Sequence, residues 1–285
     1  MIPPVVPLSW VEGQSGQVVL ADVRWYLDGR SGGDAYGRGH IPGAVFVDLD
    51  RWLAGPASPG AGRHPLPDPA TFAEGMSSVG ISDDSIVVAY DDQGGVIAAR
   101  LVWMLRVTGH NAALLDGGIQ SYHGPLEAGW PADPAPAGDP APPRPFIARP
   151  WPAEHLADID DASDRANTVI DARAPERFSG EDEPIDPQGG HIPGARNLPC
   201  RANLDPEGRF LPIDALRSRF ESVGVAAHPG GVSVISYCGS GVTACHNLIA
   251  LELAGFSPGR LYPGSWSQYS HDAARPVEIG PDRAG

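Results

Sequence analysis

The sequence contains no lysine: all 20 of its basic residues are arginine, against 35 aspartates and glutamates, for a formal charge of −15. Chemistry that needs an ε-amino group is therefore excluded, whether a Schiff base, a pyridoxal enzyme or the lysine of a Walker-type phosphate loop. The excess of acid argues against nucleic acid or an anionic membrane as partner, because phosphate contact depends on clustered positive charge. Cysteine is scarce. Cys200, Cys238 and Cys245 form an odd set, with neither the even count of a secreted disulfide framework nor a C-x-x-C zinc pair. The nine histidines show no metal-ligand spacing, so no metal is expected. No run approaches the roughly 20 apolar residues of a membrane span, and MIPPVVPLSW lacks the pattern of a leader. A cytoplasmic protein, monomeric and large enough to bury its core without staples, is expected.

What is present is a repeat. GHIPGA occurs at residues 39–44 and again at 190–195. VVLADVR ends at Arg24 before the first copy and NTVIDAR at Arg173 before the second. IVVAYDD answers VSVISYCG, and LLDGGIQSY answers RLYPGSWSQY, in the same order. The chain therefore reads as two copies of one domain. Between them runs GWPADPAPAGDPAPPRPFIARP, where proline is too frequent for a helix or an interior strand. Residues 131–150 are expected as an extended linker between domains at 1–130 and 151–285.

Each half alternates short β-branched runs with longer amphipathic ones. NTVID, SVISY and RLY predict buried strands. PIDALRSRFESVG and TACHNLIALELAG predict helices closed by Gly224 and Gly255. The expected fold class is α/β, each domain a mainly parallel sheet with helices on both faces and ligands at the carboxyl ends of strands. Cys238 lies at such an end. The CGSGVT segment behind it has two glycines that let the backbone curl with its N–H groups inward, and a helix follows at once. Convergent N–H groups and a helix N-terminus favour a thiolate, so Cys238 reads as a nucleophile rather than a small buried side chain. A C-x5-R phosphatase would need arginine at 244, where Ala244 stands.

The tandem GHIPGA motifs, HPLP at 64–67, DARAPERF at 171–178, CGSGVTA at 238–244 and YPGSWSQY at 262–269 together resemble the two-domain rhodanese-type sulfurtransferases, the 3-mercaptopyruvate/thiosulfate sulfurtransferase family. The resemblance covers nearly the whole chain. It implies tandem rhodanese-like domains: a catalytic one at 151–285, and a non-catalytic one at 1–130 with Asp91 after Tyr90 where the cysteine would be. It implies that Cys238 carries a sulfane sulfur as a persulfide, with no metal or organic cofactor required. The partners are then a small-molecule sulfur donor and a thiol, cyanide or thioredoxin-like acceptor. Gly239, Ser240, Gly241, Val242 and Thr243 would bind the substrate, with inward N–H groups and the Ser240 hydroxyl, and Arg177 would hold its anion.

The CGSGVTA loop is the version found in mercaptopyruvate-preferring members, so 3-mercaptopyruvate is the expected donor. Thiosulfate, used by the same mechanism, is the alternative. Mercaptopyruvate enzymes often have a second arginine downstream, where this chain reads DEPID with Ile185. A non-enzymatic binding or regulatory module is a further alternative, opposed by the intact cysteine and loop. Cys200 and Cys245 are expected in packing roles, with a redox part as the alternative for Cys245. His40 and His191, equivalent in the repeats, are expected to fix a turn; His40 is also a candidate for an interdomain cleft. The acidic run EDEPID at 181–186 reads as a solvated loop.

Overall fold

The computed structural model describes residues 1–14, 18–130, 145–225 and 233–281. The chain packs as two compact units: Met1–Leu53 with Pro67–Pro150, and Ala54–Leu66 with Trp151–Gly285. The stretch Ala54–Leu66, placed within the first domain by its position in the sequence, thus belongs to the second unit. The reason is local. It forms no helix or regular strand, and its backbone is held by residues near the end of the chain: Arg63 N–H donates to Ser267 Oγ at 3.0 Å and Gln268 Nε2 to the Gly60 carbonyl at 2.6 Å. Most of the expected linker, 131–144, lies outside the described residues. Its last residues pack in the first unit, where Phe146 is buried against Phe72 and His110.

The first unit contains β1 (Val5–Val6), α1 (Leu8–Glu12), β2 (Val18–Asp22), α2 (Gly32–Arg38), β3 (Val45–Phe46), α3 (Pro69–Ser78), β4 (Ile86–Tyr90), α4 (Ala99–Val107) and β5 (Asn111–Leu115). Its five strands pair in parallel in the order β1-β5-β4-β2-β3. The second unit contains α5 (Ile159–Ser163), β6 (Thr168–Asp171), α6 (Pro175–Ser179), β7 (Arg196–Asn197), α7 (Ile213–Ser222), β8 (Val234–Tyr237), α8 (Ala244–Leu253), β9 (Arg260–Leu261) and α9 (Ser265–Tyr269). Its four strands, also parallel, run β7-β6-β8-β9.

Parallel strands covered on both faces must be apolar on both, and β6 shows how the residues divide. Val169 joins Phe178, Trp266 and Tyr269 from α6 and α9, whereas its neighbour Ile170 joins Leu216, Phe220, Ala250 and Leu251 from α7 and α8. The expected helices α7 and α8 end where foreseen. Gly224 and Gly255 adopt φ of +88° and +81°, the left-handed turn that closes a helix and that glycine enters without steric cost.

The repeat is visible in atomic detail. Arg24 forks onto Asp22 and reaches the Gly39 carbonyl, and Arg173 forks onto Asp171 and reaches the Gly190 carbonyl. The Tyr90 hydroxyl accepts from Ile41 N–H, as the Tyr237 hydroxyl does from Ile192 N–H. His40 is buried, stacked on Tyr36, and donates from Nδ1 to the Tyr36 carbonyl at 3.0 Å. His191 stacks on Phe178 and donates to its carbonyl at 2.8 Å. Both backbones bridge to a glutamate, Glu127 or Glu278, whose carboxylate also takes the N–H of the glycine three residues on. These are turn-fixing roles, and they put His40 in the core of the first unit.

Burial holds the His191 imidazole below its usual range. Below about pH 6.5 the unfolded chain binds a proton that the folded chain resists, so this contribution is complete above that pH and is lost as pH falls. Acidification from about pH 7.5 to 5.5 should therefore lower the melting temperature of the wild type more than that of His191→Asn, because only the wild type carries this proton linkage. Equal drops in a thermal-melt comparison would remove His191 as a cause.

Candidate active site

Cys238 follows β8 directly and is nearly fully buried, at 2% exposure. Two features of the chain shape its loop. Gly241 stands at φ +81°, and a Cβ there would lie 2.6 Å from the Pro263 carbonyl oxygen, so this turn requires glycine. The opposing segment then takes up the loop's carbonyls. Trp266 N–H donates to the Cys238 carbonyl at 3.0 Å and Ser267 N–H to that of Gly239 at 2.8 Å. With these carbonyls held outward, Gly241 N–H reaches the Cys238 sulfur at 3.1 Å. Ser265, a non-glycine residue at φ +51°, accepts the Cys238 N–H on its hydroxyl and donates that hydroxyl to the Tyr262 carbonyl. Its unusual backbone thus serves the cysteine's placement, as strained residues at sites often do.

The first unit has a loop in the equivalent place, between β4 and α4, with a different occupant. At the position equivalent to Cys238, the buried Asp91 carboxylate accepts four backbone N–H groups, from Gln93, Gly95, Ile97 and Ala98, at 2.7–2.9 Å. Burial pushes this carboxyl upward, and the four donors oppose that push. The loop is therefore an anion cradle by construction. In the first unit four N–H groups converge on the Asp91 carboxyl group; in the second the Gly241 N–H reaches a sulfur.

Around Cys238 the site is charged. Arg177 donates to Glu183 (2.7 and 3.1 Å) and to Asp186 (3.1 Å), and Asp186 also pairs with Arg63. Glu183 further takes a bond from Arg173, which lies over the Trp266 ring. EDEPID is solvated only in part: Glu181, Asp182, Pro184 and Ile185 are exposed, whereas the Glu183 and Asp186 side chains are 4% and 1% exposed because three arginines hold them. A Cβ at Gly239 would stand 3.0 Å from Arg63 Nη2 and 3.3 Å from Arg177 Nη1, so both guanidiniums lie beside the cysteine loop. On the same loop, Ser240 Oγ and His64 Nδ1 are hydrogen-bonded at 2.8 Å.

The structure thus brings together Cys238, Gly239, Ser240, Gly241 and Arg177. Val242 is buried in the loop, and Thr243 leads into α8. Sequence reasoning missed Arg63, His64, Glu183 and Asp186. The HPLP motif marked His64 without assigning it a role, and no periodicity could join residues so distant along the chain. Cys245 is fully buried in α8 and donates to the Gly241 carbonyl at 3.4 Å. Cys200 is buried beyond β7, and desolvation, reinforced by Cys238, pushes its thiol up to about 12, which suits an inert packing residue. Among the described residues no group of side chains is arranged to hold a metal ion, and no helix is long and apolar enough to cross a membrane.

Two parallel α/β units, one with a strand-end cysteine and the other with an aspartate in its place, define a duplicated α/β protein with one buried thiol at a strand end. The Rhodanese-like domain family matches residues 10–124 and 152–272. The chain is 44% identical over 273 residues to a Pseudomonas aeruginosa protein named "Probable 3-mercaptopyruvate sulfurtransferase", covering 92% of this chain and 93% of that one. It is 40% identical over 280 residues to "Putative thiosulfate sulfurtransferase SseB" of Mycobacterium tuberculosis, covering 94% and 93%. The crystal structure of SseA from Escherichia coli, titled for 3-mercaptopyruvate sulfotransferases, superposes with a TM-score of 0.76 at 30% identity, over 93% of this chain and 99% of that one. The chain belongs to the tandem-domain rhodanese sulfurtransferases of the 3-mercaptopyruvate/thiosulfate family, and it is a sulfurtransferase.

Proposed function

We propose that this sulfurtransferase takes its sulfur from 3-mercaptopyruvate and passes it, through a Cys238 persulfide, to a thiol, cyanide or thioredoxin-like acceptor. The Cys238 thiolate attacks the mercapto sulfur. An S–S bond forms, the donor's C–S bond breaks, and its electron pair leaves on the enolate of pyruvate, which takes up a proton at carbon. The acceptor then attacks the outer sulfur and the thiolate returns. Through both halves of the cycle the negative charge stays within reach of the cradle N–H groups, as the Gly241 N–H at the sulfur illustrates.

The observation that carries the donor assignment is the hydrogen bond between Ser240 Oγ and His64 Nδ1. A mercaptopyruvate donor develops charge on its keto oxygen and needs a proton as it leaves. A hydroxyl bonded to an imidazole, one loop position from Gly239, supplies both a donor for that oxygen and a route for the proton. Thiosulfate releases sulfite without needing one. The second reading, thiosulfate by the same chemistry, is favoured by the two guanidiniums beside Gly239. Measuring kcat/KM for the two donors with a common acceptor separates these readings. Mercaptopyruvate is expected to be the better donor, and a clear thiosulfate advantage overturns the assignment.

A further inference from the structure

By the family resemblance Ile185 stands where a second arginine often follows, and here a second guanidinium lies beside the cysteine loop from another segment. Ile185 is 36% exposed, and its turn supplies acid instead: the N–H groups of Ile185 and Asp186 both donate to Glu183 Oε1. The second guanidinium comes from Arg63, in the segment Ala54–Leu66, and it lies with that of Arg177 over Gly239. Both forks share Asp186. The Arg63 and Arg177 side chains remain 28% and 17% exposed, so each can still present N–H groups to a donor, whereas the Asp186 side chain is at 1%.

The charges in this cluster cancel. Arg63, Arg173 and Arg177 face Asp171, Glu183 and Asp186, three cations against three anions. Buried charges are screened little by water and salt, so the net charge of such a cluster is felt at the loop. A clamp built from two arginines alone would draw a dianion such as thiosulfate most strongly. One whose arginines are held by two buried carboxylates keeps the geometry of a carboxylate fork without the excess charge.

We propose that Asp186, with Glu183, is the specificity determinant of the donor site: it positions Arg63 and Arg177 over Gly239 while cancelling their charge, so that a singly charged carboxylate donor is accepted over a dianion. This rests on the Cys238 persulfide reading.

The test is kcat/KM for 3-mercaptopyruvate and for thiosulfate in the wild type, Asp186→Asn, Arg63→Gln and the double variant. Circular dichroism and thermal melts confirm the fold of each, and Glu183→Gln takes the place of Asp186→Asn if that variant does not fold. Removing the buried negative charge should raise the thiosulfate-to-mercaptopyruvate efficiency ratio about five- to tenfold. Arg63→Gln should raise KM for mercaptopyruvate by about tenfold, more than it lowers kcat. The double variant, neutral again, should bring the ratio back toward the wild-type value. A folded Asp186→Asn enzyme with an unchanged ratio overturns the inference. Failure of the donor assignment looks different, because it appears as a thiosulfate preference already in the wild type.

Discussion

Cys238→Ser should leave the protein folded and abolish sulfur transfer from either donor, a loss on the order of 10⁴-fold or more in kcat, as expected when a covalent nucleophile is removed. Serine occupies nearly the same volume at this buried position and can accept the Gly241 N–H that now reaches the sulfur. Its hydroxyl, however, is not ionised at neutral pH and cannot carry a sulfane sulfur. Two measurements check this. Turnover should fall to background, and treatment with donor should add the mass of one sulfur atom to the wild type but not to the variant. Cys200 and Cys245 are both buried, so neither should take over. Retained transfer in the variant would remove the persulfide mechanism altogether.

Gly241→Ala should inactivate the site without touching any reacting atom. A left-handed backbone at a non-glycine residue costs about 1–3 kcal/mol. Here the added methyl would also meet the Pro263 carbonyl oxygen at 2.6 Å and Pro263 Cα at 3.1 Å, backbone that cannot swing aside. Relief requires the loop to move, and Gly241 N–H then leaves the sulfur. The comparison is Gly224→Ala, at φ +88° with nothing within 4 Å of where its methyl would sit. Both variants should lower the melting temperature, by roughly 2–10 °C for such a strain. Only Gly241→Ala should lose transfer as well, by at least about 100-fold if the cradle is lost. If the two variants behave alike, the close approach to Pro263 contributes nothing to catalysis.

The Asp91 loop gives these expectations an internal reference. It follows the equivalent tyrosine, and there four backbone N–H groups converge on a buried carboxyl group. A side chain that is always an acceptor freezes the cradle in its occupied form. The two strand ends thus hold different side chains in equivalent places, Asp91 after β4 and Cys238 after β8.

The sequence by itself determined what is local or repeated. The duplication, the strand that delivers Cys238, the helix behind it and the glycines at 224, 241 and 255 all follow from spacing and from the conformations that only glycine enters freely. The shared turn-fixing part of His40 and His191 was legible for the same reason, since a shared motif builds a shared turn; their burial was not. Only the tertiary structure decided the charged part of the site. Arg63 and Asp186 are 123 positions apart and His64 and Ser240 are 176 apart. Ala54–Leu66 has no periodicity to announce where it packs. EDEPID looked solvated because charged residues in a run usually are; three arginines, one of them from the distant Ala54–Leu66 stretch, bury two of its carboxylates. Linear pattern reports which way a residue faces within its own element. Which charges meet is set by how the elements close on one another, and in this protein that closure assembles the charged cluster beside Cys238.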